Sequence, residues 1–333
     1  MTRDFRLLNY QEDHTTMPNF PTSIMEFTQR FSTDEACREY LEEVRFPDGV
    51  YDIRDGHTRP VRYLASRKLW VFPDGYQQSI TVGTVMEQTH TPLTKWFWAA
   101  YLVSTHTPGI SARQLARQIG VSYETAYTML HKLRAGLVNP FRDKLKGTIE
   151  VDETFIGGKA SGKRGRGAGS KTIVVGAVEV IDTSKKQIGG RIRLRAIPQA
   201  SGKHLLQFIA DNVERGSVIV TDGWQGYNGV VELGYDHMVL TGEDSVEVAK
   251  QLVHIHRAFS NLKTWLMGTH HGVSKKHLQA YLNEFVFRYN RRRVPFEAFN
   301  SALGIGSINL SPTYHELYKT GEEHGWTHPN TKR

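Results

Sequence analysis

Cysteine is nearly absent. Cys37 is the only one in 333 residues, which excludes an intrachain disulfide and any metal site built from several thiolates. A long apolar run is missing too. The most apolar stretch, Trp96-Phe-Trp-Ala-Ala-Tyr-Leu-Val103, falls far short of the ~20 residues a membrane helix needs. The amino terminus, Met1-Thr-Arg-Asp-Phe-Arg6, is charged from the start and has no apolar signal core. These absences predict a soluble, cytoplasmic protein without a membrane partner. Acidic charge is in deficit: 34 Asp and Glu stand against 42 Lys and Arg, a formal charge of +8. That balance points to an anionic partner, of which nucleic acid is the commonest. What is present suffices for packed cores, with 39% apolar and 11% aromatic residues over a length of two or three domains. Internal repeats are lacking.

Taken in order, residues 1–22 are polar, carry Pro18 and Pro21, and read as a loose tail. Residues 23–88 combine a helical lead-in with a small β unit. Ile24, Phe27, Phe31, Ala36, Tyr40 and Leu41 recur at helical spacing around a cap at Ser32-Thr33. Short runs at Arg62-Tyr-Leu, Leu69-Trp-Val-Phe and Ser79-Ile-Thr-Val alternate with Gly and Pro turns. Residues 89–142 carry the clearest local pattern. A strongly apolar helix from Pro92 is followed by a helix capped by Ser111, a tight Gly120-Val121 turn, and a second helix capped by Ser122. In that second helix Ala126, Met129, Leu130 and Leu133 form the inward face. Two short capped helices behind a supporting one are a helix-turn-helix pattern, though a packing hairpin would share it. Tyr123, Glu124, Tyr127, Thr128, His131 and Lys132 are expected outward, where a DNA groove could be read.

Residues 143–300 read as an α/β domain, followed by a mixed tail over 301–333. Its first strand, within Gly147-Thr-Ile-Glu-Val-Asp152-Glu-Thr-Phe-Ile-Gly-Gly158, alternates Ile149 and Val151 with Glu150 and Asp152. The strand is expected to end on Asp152. A loop over 159–171 follows with five cations, Lys163, Arg164 and Arg166 among them, and no acid. Two more strands cover 172–181 and 190–197; the latter alternates arginine with aliphatic residues, predicting one wet, basic face. A helix from Ser201 precedes a fourth strand, Ser217-Val-Ile-Val-Thr-Asp222, which also ends on an acid. Helices are expected over 253–267 and 274–293, and loops after Pro295.

Three blocks resemble the DDE-type insertion-sequence transposases of the ISXO-like group. They are Ile149-Glu-Val-Asp152-Glu-Thr-Phe-Ile-Gly-Gly-Lys159, then Val220-Thr-Asp222-Gly-Trp-Gln-Gly-Tyr227, then Phe259-Ser-Asn-Leu-Lys263 continuing through Gly268-Thr-His-His-Gly-Val-Ser-Lys-Lys-His-Leu278 to Asn283-Glu-Phe-Val-Phe-Arg-Tyr-Asn-Arg-Arg292. The resemblance covers about residues 30–300 and implies a ribonuclease-H-like catalytic domain behind a zinc-ribbon-like unit and a helix-turn-helix domain. It implies two Mg2+ or Mn2+ ions held by Asp152 and Asp222, acting on a DNA phosphodiester. Terminal inverted repeats and target DNA become the expected partners, a homo-oligomer on DNA the expected assembly, and the nucleoid the expected place.

This chain departs from the group's pattern twice. The third acidic position falls on His256, 34 residues after Asp222 (256 − 222) and seven before Lys263, the spacing of a cation that contacts the DNA end. Two helical turns put His256 and Lys263 on one helix face. His256 then reads either as a metal ligand or water-orienting group, or as a lost site. Glu284 is the other candidate third acid, with an i,i+4 surface pair to Arg288 as the simpler reading. The second departure is the ribbon: Asp52, Asp55, Val71 and Asp74 occupy the four cysteine positions, so no structural zinc is expected and Tyr63, Leu69, Trp70 and Phe72 are expected to hold the unit. His254, His270, His271 and His277 lack the spacing of a zinc site and read as structural or phosphate-contacting; Glu150 and Glu153 read as orienting groups or exposed acids. The leading expectation is a transposase that cuts and joins strands at its element's ends. The alternatives are a catalytically inactive, transposase-derived DNA-binding or regulatory protein, and a stand-alone nuclease.

Overall fold

A computed structural model describes residues 21–137, 142–157, 171–240, 251–293 and 298–303. They fall into two compact units, 1–80 and 81–333.

In the first unit, helices α1 (Ile24–Arg30) and α2 (Asp34–Arg45) are each capped by a hydroxyl, Ser23 onto Glu26 N and Thr33 onto Ala36 N. Three short antiparallel strands follow, β1 (Arg62–Leu64), β2 (Leu69–Val71) and β3 (Gln77–Ser79). The third lies two residues before the run expected from the sequence. Its length is set by Gln78, whose buried amide bridges Tyr51 O and Ile53 N. Trp70 and Phe72 are buried as expected, while Tyr63 is exposed and Leu69 only half-buried. Phe46 takes their place, meeting the Trp70 ring edge-on at 5.2 Å.

Asp52, Asp55 and Asp74 converge on arginine. Asp52, 0% exposed, accepts from Arg54 Nε and Nη2 at 2.9 and 2.6 Å and from Arg59 Nη1 at 3.0 Å. Arg54 Nη2 also donates to Asp74 at 2.6 Å, and Arg59 pairs with Asp55. A guanidinium therefore spans the two turns, and its fork suits several carboxylates at once.

In the second unit, α3 (Leu93–Thr105), α4 (Ala112–Ile119) and α5 (Tyr123–Gly136) pack together. Ser111 and Ser122 cap α4 and α5, and Gly120 closes α4 at φ 62°, a left-handed geometry that favours glycine. The five-stranded sheet comprises β4 (Thr148–Ile156), β5 (Thr172–Asp182), β6 (Gln187–Ile197), β7 (Val218–Thr221) and β8 (Asp236–Val239), in the order β6-β5-β4-β7-β8. The first three are antiparallel neighbours; β4–β7 and β7–β8 are parallel. Strand β8 was not evident in the sequence, being four residues long with a mostly exposed face.

Alternation along β4 divides the core. Ile149 and Val151 pack with Leu205, Phe208 and Ile209 of α6 (Gly202–Asn212) on one face. The other face lies under α7 (Val253–His270) and α8 (Leu278–Asn290), whose Ile255, Phe259, Leu278, Leu282 and Phe285 are buried against it. The β6 edge is filled by amide side chains of α8. Asn290 accepts from Ile192 N at 2.8 Å and Gln279 from Ala196 N at 2.9 Å. Residues after Pro295 are not all loop: α9 (Ala298–Ala302) buries Phe299 against Phe97 of α3, centroids 5.3 Å apart. Among the described residues no helix is long and apolar enough to cross a membrane.

Candidate active site

Parallel pairing of β4 and β7 carries the two aspartates towards one end of the sheet. β4 and β7 pair at a constant offset of 70 (Thr148 with Val218, Ile149 with Ile219, Glu150 with Val220). The same offset carries Asp152 to Asp222 (152 + 70), one residue beyond β7. Asp152 does not end its strand: β4 continues to Ile156 because β5 pairs with its full length. Asp222 is exposed at the turn made by Gly223, φ 78°, and its Oδ1 accepts from Trp224 N at 3.0 Å.

Helix α7 supplies the third group. His256 Nε2 lies 2.8 Å from Asp152 Oδ2, with the imidazole and the carboxylate 35% and 15% exposed. Lys263 follows two turns along the same helix. Partial burial pushes its amine down, the Asp152 carboxylate opposes that shift, and Lys171 adds to it. Asp152, His256 and Lys263 thus share one electrostatic neighbourhood, with Lys171 at the end of the basic loop. Lys163, Arg164 and Arg166 of that loop lie outside the described residues.

Gly176 and Tyr227 escaped the sequence reading, which left Glu150 as an orienting group or an exposed acid. Glu150 is buried, and its Oε2 accepts from the backbone N–H of His254 and Ile255 at 2.8 and 2.7 Å. Burial pushes its carboxyl up, against the pull of those two donors. Gly176 faces Asp152 across the β4–β5 ladder. A Cβ there would sit 2.8 Å from Ile255 Cδ1 and 2.9 Å from Phe259 Cε1, so the glycine lets α7 lie close enough for His256 to reach Asp152. Its position inside an aliphatic strand was the available signal. Tyr227, fully buried, donates to Glu153 Oε2 at 2.8 Å. Burial, then the carboxylates of Glu153, Asp152 and Asp222, push its phenol well above the ordinary range. A concentrated negative field therefore surrounds the strand ends.

Glu284 is no part of this site and no surface pair. It is 0% exposed and takes a hydrogen bond at 2.7 Å from Arg134 of α5, itself buried; Arg288 stands at 4.0 Å. The basic face expected on β6 is also neutralised: Arg191 pairs with Glu179, Arg195 with Asp211, and Arg193 donates to Asp143 O. A groove of about 750 Å³ beside Lys144, Lys146, Glu179 and Arg191 lies at the Thr148 end of β4, away from Asp152.

Helix α5 offers less surface than its sequence implied. His131 is 2% exposed, with ring centroids 4.4 Å from Tyr127 and 5.2 Å from His277. His270 lies edge-on to Tyr281 at 4.7 Å. Lys132 is half-buried, its Nζ donating to Glu87 O at 3.2 Å, and burial pushes its amine down. The physical reason is α8, which covers the carboxyl-terminal half of α5 from about 150 residues away. Tyr127 and Thr128 are half-buried; Tyr123, 49% exposed, and Glu124 stay open at the amino-terminal end.

Residues 144–290 match the family model for the ISXO2-like transposase domain. This region is similar to an ISXO2-like transposase domain. The match spans every strand of the sheet and both helices above Asp152. Over a longer stretch, the chain is 28% identical over 287 residues to an uncharacterized protein in transposable element ISH50 of Halobacterium salinarum (strain ATCC 700922 / JCM 11081 / NRC-1), covering 80% of this chain and 94% of that one. A chain from the cryo-EM structure of the simian T-cell lymphotropic virus intasome with PP2A regulatory subunit B56 gamma is 15% identical, with 55% of this chain and 66% of that chain covered and a TM-score of 0.26. Among the described residues no three His, Cys, Asp or Glu side chains converge to enclose a metal ion.

Proposed function

We propose that this transposase binds the terminal inverted repeats of its own insertion sequence and catalyses metal-dependent strand cleavage and transfer there, as a homo-oligomer on the DNA. The observation carrying the proposal is His256 Nε2 at 2.8 Å from Asp152 Oδ2, on a strand whose parallel neighbour β7 runs into Asp222.

The donor set fits a hard divalent ion. Asp152 and Asp222 present carboxylate oxygens, which suit Mg2+ or Mn2+, and an imidazole as third donor favours Mn2+. When bound, such ions lower the pKa of water or a 3′ hydroxyl and stabilise the leaving oxygen. The chain's own residues do the rest. Asp152 and Asp222 would hold the ions, His256 would serve as a further ligand or orient the nucleophile, and Lys263 would meet a phosphate beside them. The helix-turn-helix reading of α4 and α5 assigns DNA contact to Tyr123 and Glu124, with Tyr127 and Thr128 behind them. The first unit is read as a metal-free ribbon whose zinc is replaced by Arg54.

The test is strand cleavage on a duplex carrying the element's end, with Mg2+ or Mn2+. Wild type should cut, and Asp152→Asn should bind the duplex but not cut it. Equal activity of the two would remove the catalytic reading. End binding by both without cleavage would leave the regulatory alternative.

A further inference from the structure

Helix α7 carries both His256 and Lys263, yet its own sequence does little to start it. Its amino-terminal residue, Leu252, makes no side-chain cap, and the first turn, Val253-His-Ile-His256, contains no acid. A helix leaves its first N–H groups unpaired and its amino terminus partly positive, which normally calls for a local hydroxyl or carboxylate. Here the carboxylate comes from strand β4. Glu150, 5% exposed, accepts from His254 N at 2.8 Å and Ile255 N at 2.7 Å across more than 100 residues of sequence.

We propose that Glu150 is a positioning residue that sets the distance between His256 and Asp152; this rests on the cleavage reading above. Glu150 and Asp152 project from the same face of β4 two residues apart, roughly 6.6 Å along the strand. The anchored amides belong to the two residues immediately before His256. Strand, anchor, helix turn and the 2.8 Å His256–Asp152 contact therefore form a closed ring, with both fixed ends on one strand. Gly176 lets the helix close down on the strand, and Glu150 fixes where along the strand it starts. Without the anchor the first turn of α7 frays and His256 leaves Asp152, while Asp152 and Asp222 keep their places in the sheet. A glutamine retains an acceptor oxygen at the same reach; an alanine retains nothing.

The test compares the full-length wild type with Glu150→Gln and Glu150→Ala, at a temperature where all three are folded. In the metal-free proteins, hydrogen exchange is followed over the first turn of α7, together with the imidazole 15N signal that vanishes in His256→Ala. Cleavage and binding of end DNA are then measured with Mn2+. Glu150→Ala should lose protection in the first turn, shift the His256 signal, and lose about a hundredfold in cleavage rate, the scale of a 1 Å misplacement, while still binding end DNA. Glu150→Gln should restore all three to near the wild-type level. The proposal is overturned if Glu150→Ala keeps its protected first turn, or loses it and cleaves normally. It also falls if Glu150→Gln keeps the anchor and the His256 signal yet cleaves no better than alanine, since the charge itself would then be what matters. Should the wild type not cleave at all, the cleavage reading fails, and exchange and the His256 signal alone decide the anchor.

Discussion

Gly176 lies directly across the ladder from Asp152, and the space its missing side chain leaves is taken by Ile255 and Phe259 of α7. Gly176→Ala should push the helix off the strand. Overpacking of this kind costs about 1–3 kcal/mol, and here it also parts His256 from Asp152. The expected outcome is a folded protein with a lowered Tm and cleavage reduced more than its stability loss explains. Normal cleavage by Gly176→Ala would show that the close approach is not needed.

His256→Ala and His256→Glu separate two roles for the third group. If the imidazole serves as a ligand, the alanine variant should fall sharply at all metal concentrations, and the glutamate variant should recover cleavage with a preference moved towards Mg2+. Metal titrations of the cleavage rate read this out. A His256→Ala protein as active as wild type would remove His256 from the site.

Arg134 and Glu284 should be costly to separate. Removing one member of a buried pair leaves an unpaired charge, at about 3–5 kcal/mol. Arg134→Met alone should lower the denaturation midpoint strongly. Arg134→Met with Glu284→Leu should recover most of it, since an apolar pair of similar volume replaces an ionic one at little cost.

Acid should weaken the junction between α5 and α8. Burial holds His131 down at about 2 and His270 at about 4; Arg134 adds to both shifts, while Glu284 opposes that of His270. Lys276 and Arg134 similarly depress His277, mainly behind burial. These folded values lie below the unfolded value of about 6.5. The stabilising contribution is therefore complete above pH 6.5 and is lost as pH falls, because the unfolded chain takes up the protons first. Each histidine costs about 1.4 kcal/mol per unit over the window from 6.5 down to its folded value. Denaturation midpoints at pH 7.5 and 5 should differ, and His131→Phe should reduce the difference.

Purified protein should contain no stoichiometric zinc, and chelators should leave the Tm unchanged. Asp52→Ala should destabilise the first unit, because Arg54 and Arg59 lose their shared carboxylate. Elemental analysis and thermal melts check both, and tightly bound zinc would refute the guanidinium bridge.

Periodicity made the local elements readable. Ser111, Gly120 and Ser122 marked α4 and α5 because caps and left-handed turns are written in neighbouring residues. Asp152 and Asp222 were legible because each lies on or at the end of an aliphatic strand. What was hidden depended on long-range packing. His131 read as outward because the residues that cover it, His277 and Tyr281, come about 150 positions later; Lys132 read so because its partner, Glu87 O, lies in another segment; and Glu284 read as a surface partner of Arg288 because nothing local announces Arg134. Glu150 read as an orienting group or an exposed acid, with nothing to decide between them, since the amides it anchors belong to another element. Strand β8 is too short to have a period.

The amides of Gln279 and Asn290 have an effect beyond fixing α8. An outer strand normally offers a row of open N–H and C=O groups to any extended chain that passes. At Ile192 and Ala196 those N–H groups are already taken, so an incoming strand would have to evict two well-made hydrogen bonds before adding its own. Copies of this chain brought together at high local concentration would thus gain little from zipping together along β6, and any arrangement between them would be left to other surfaces.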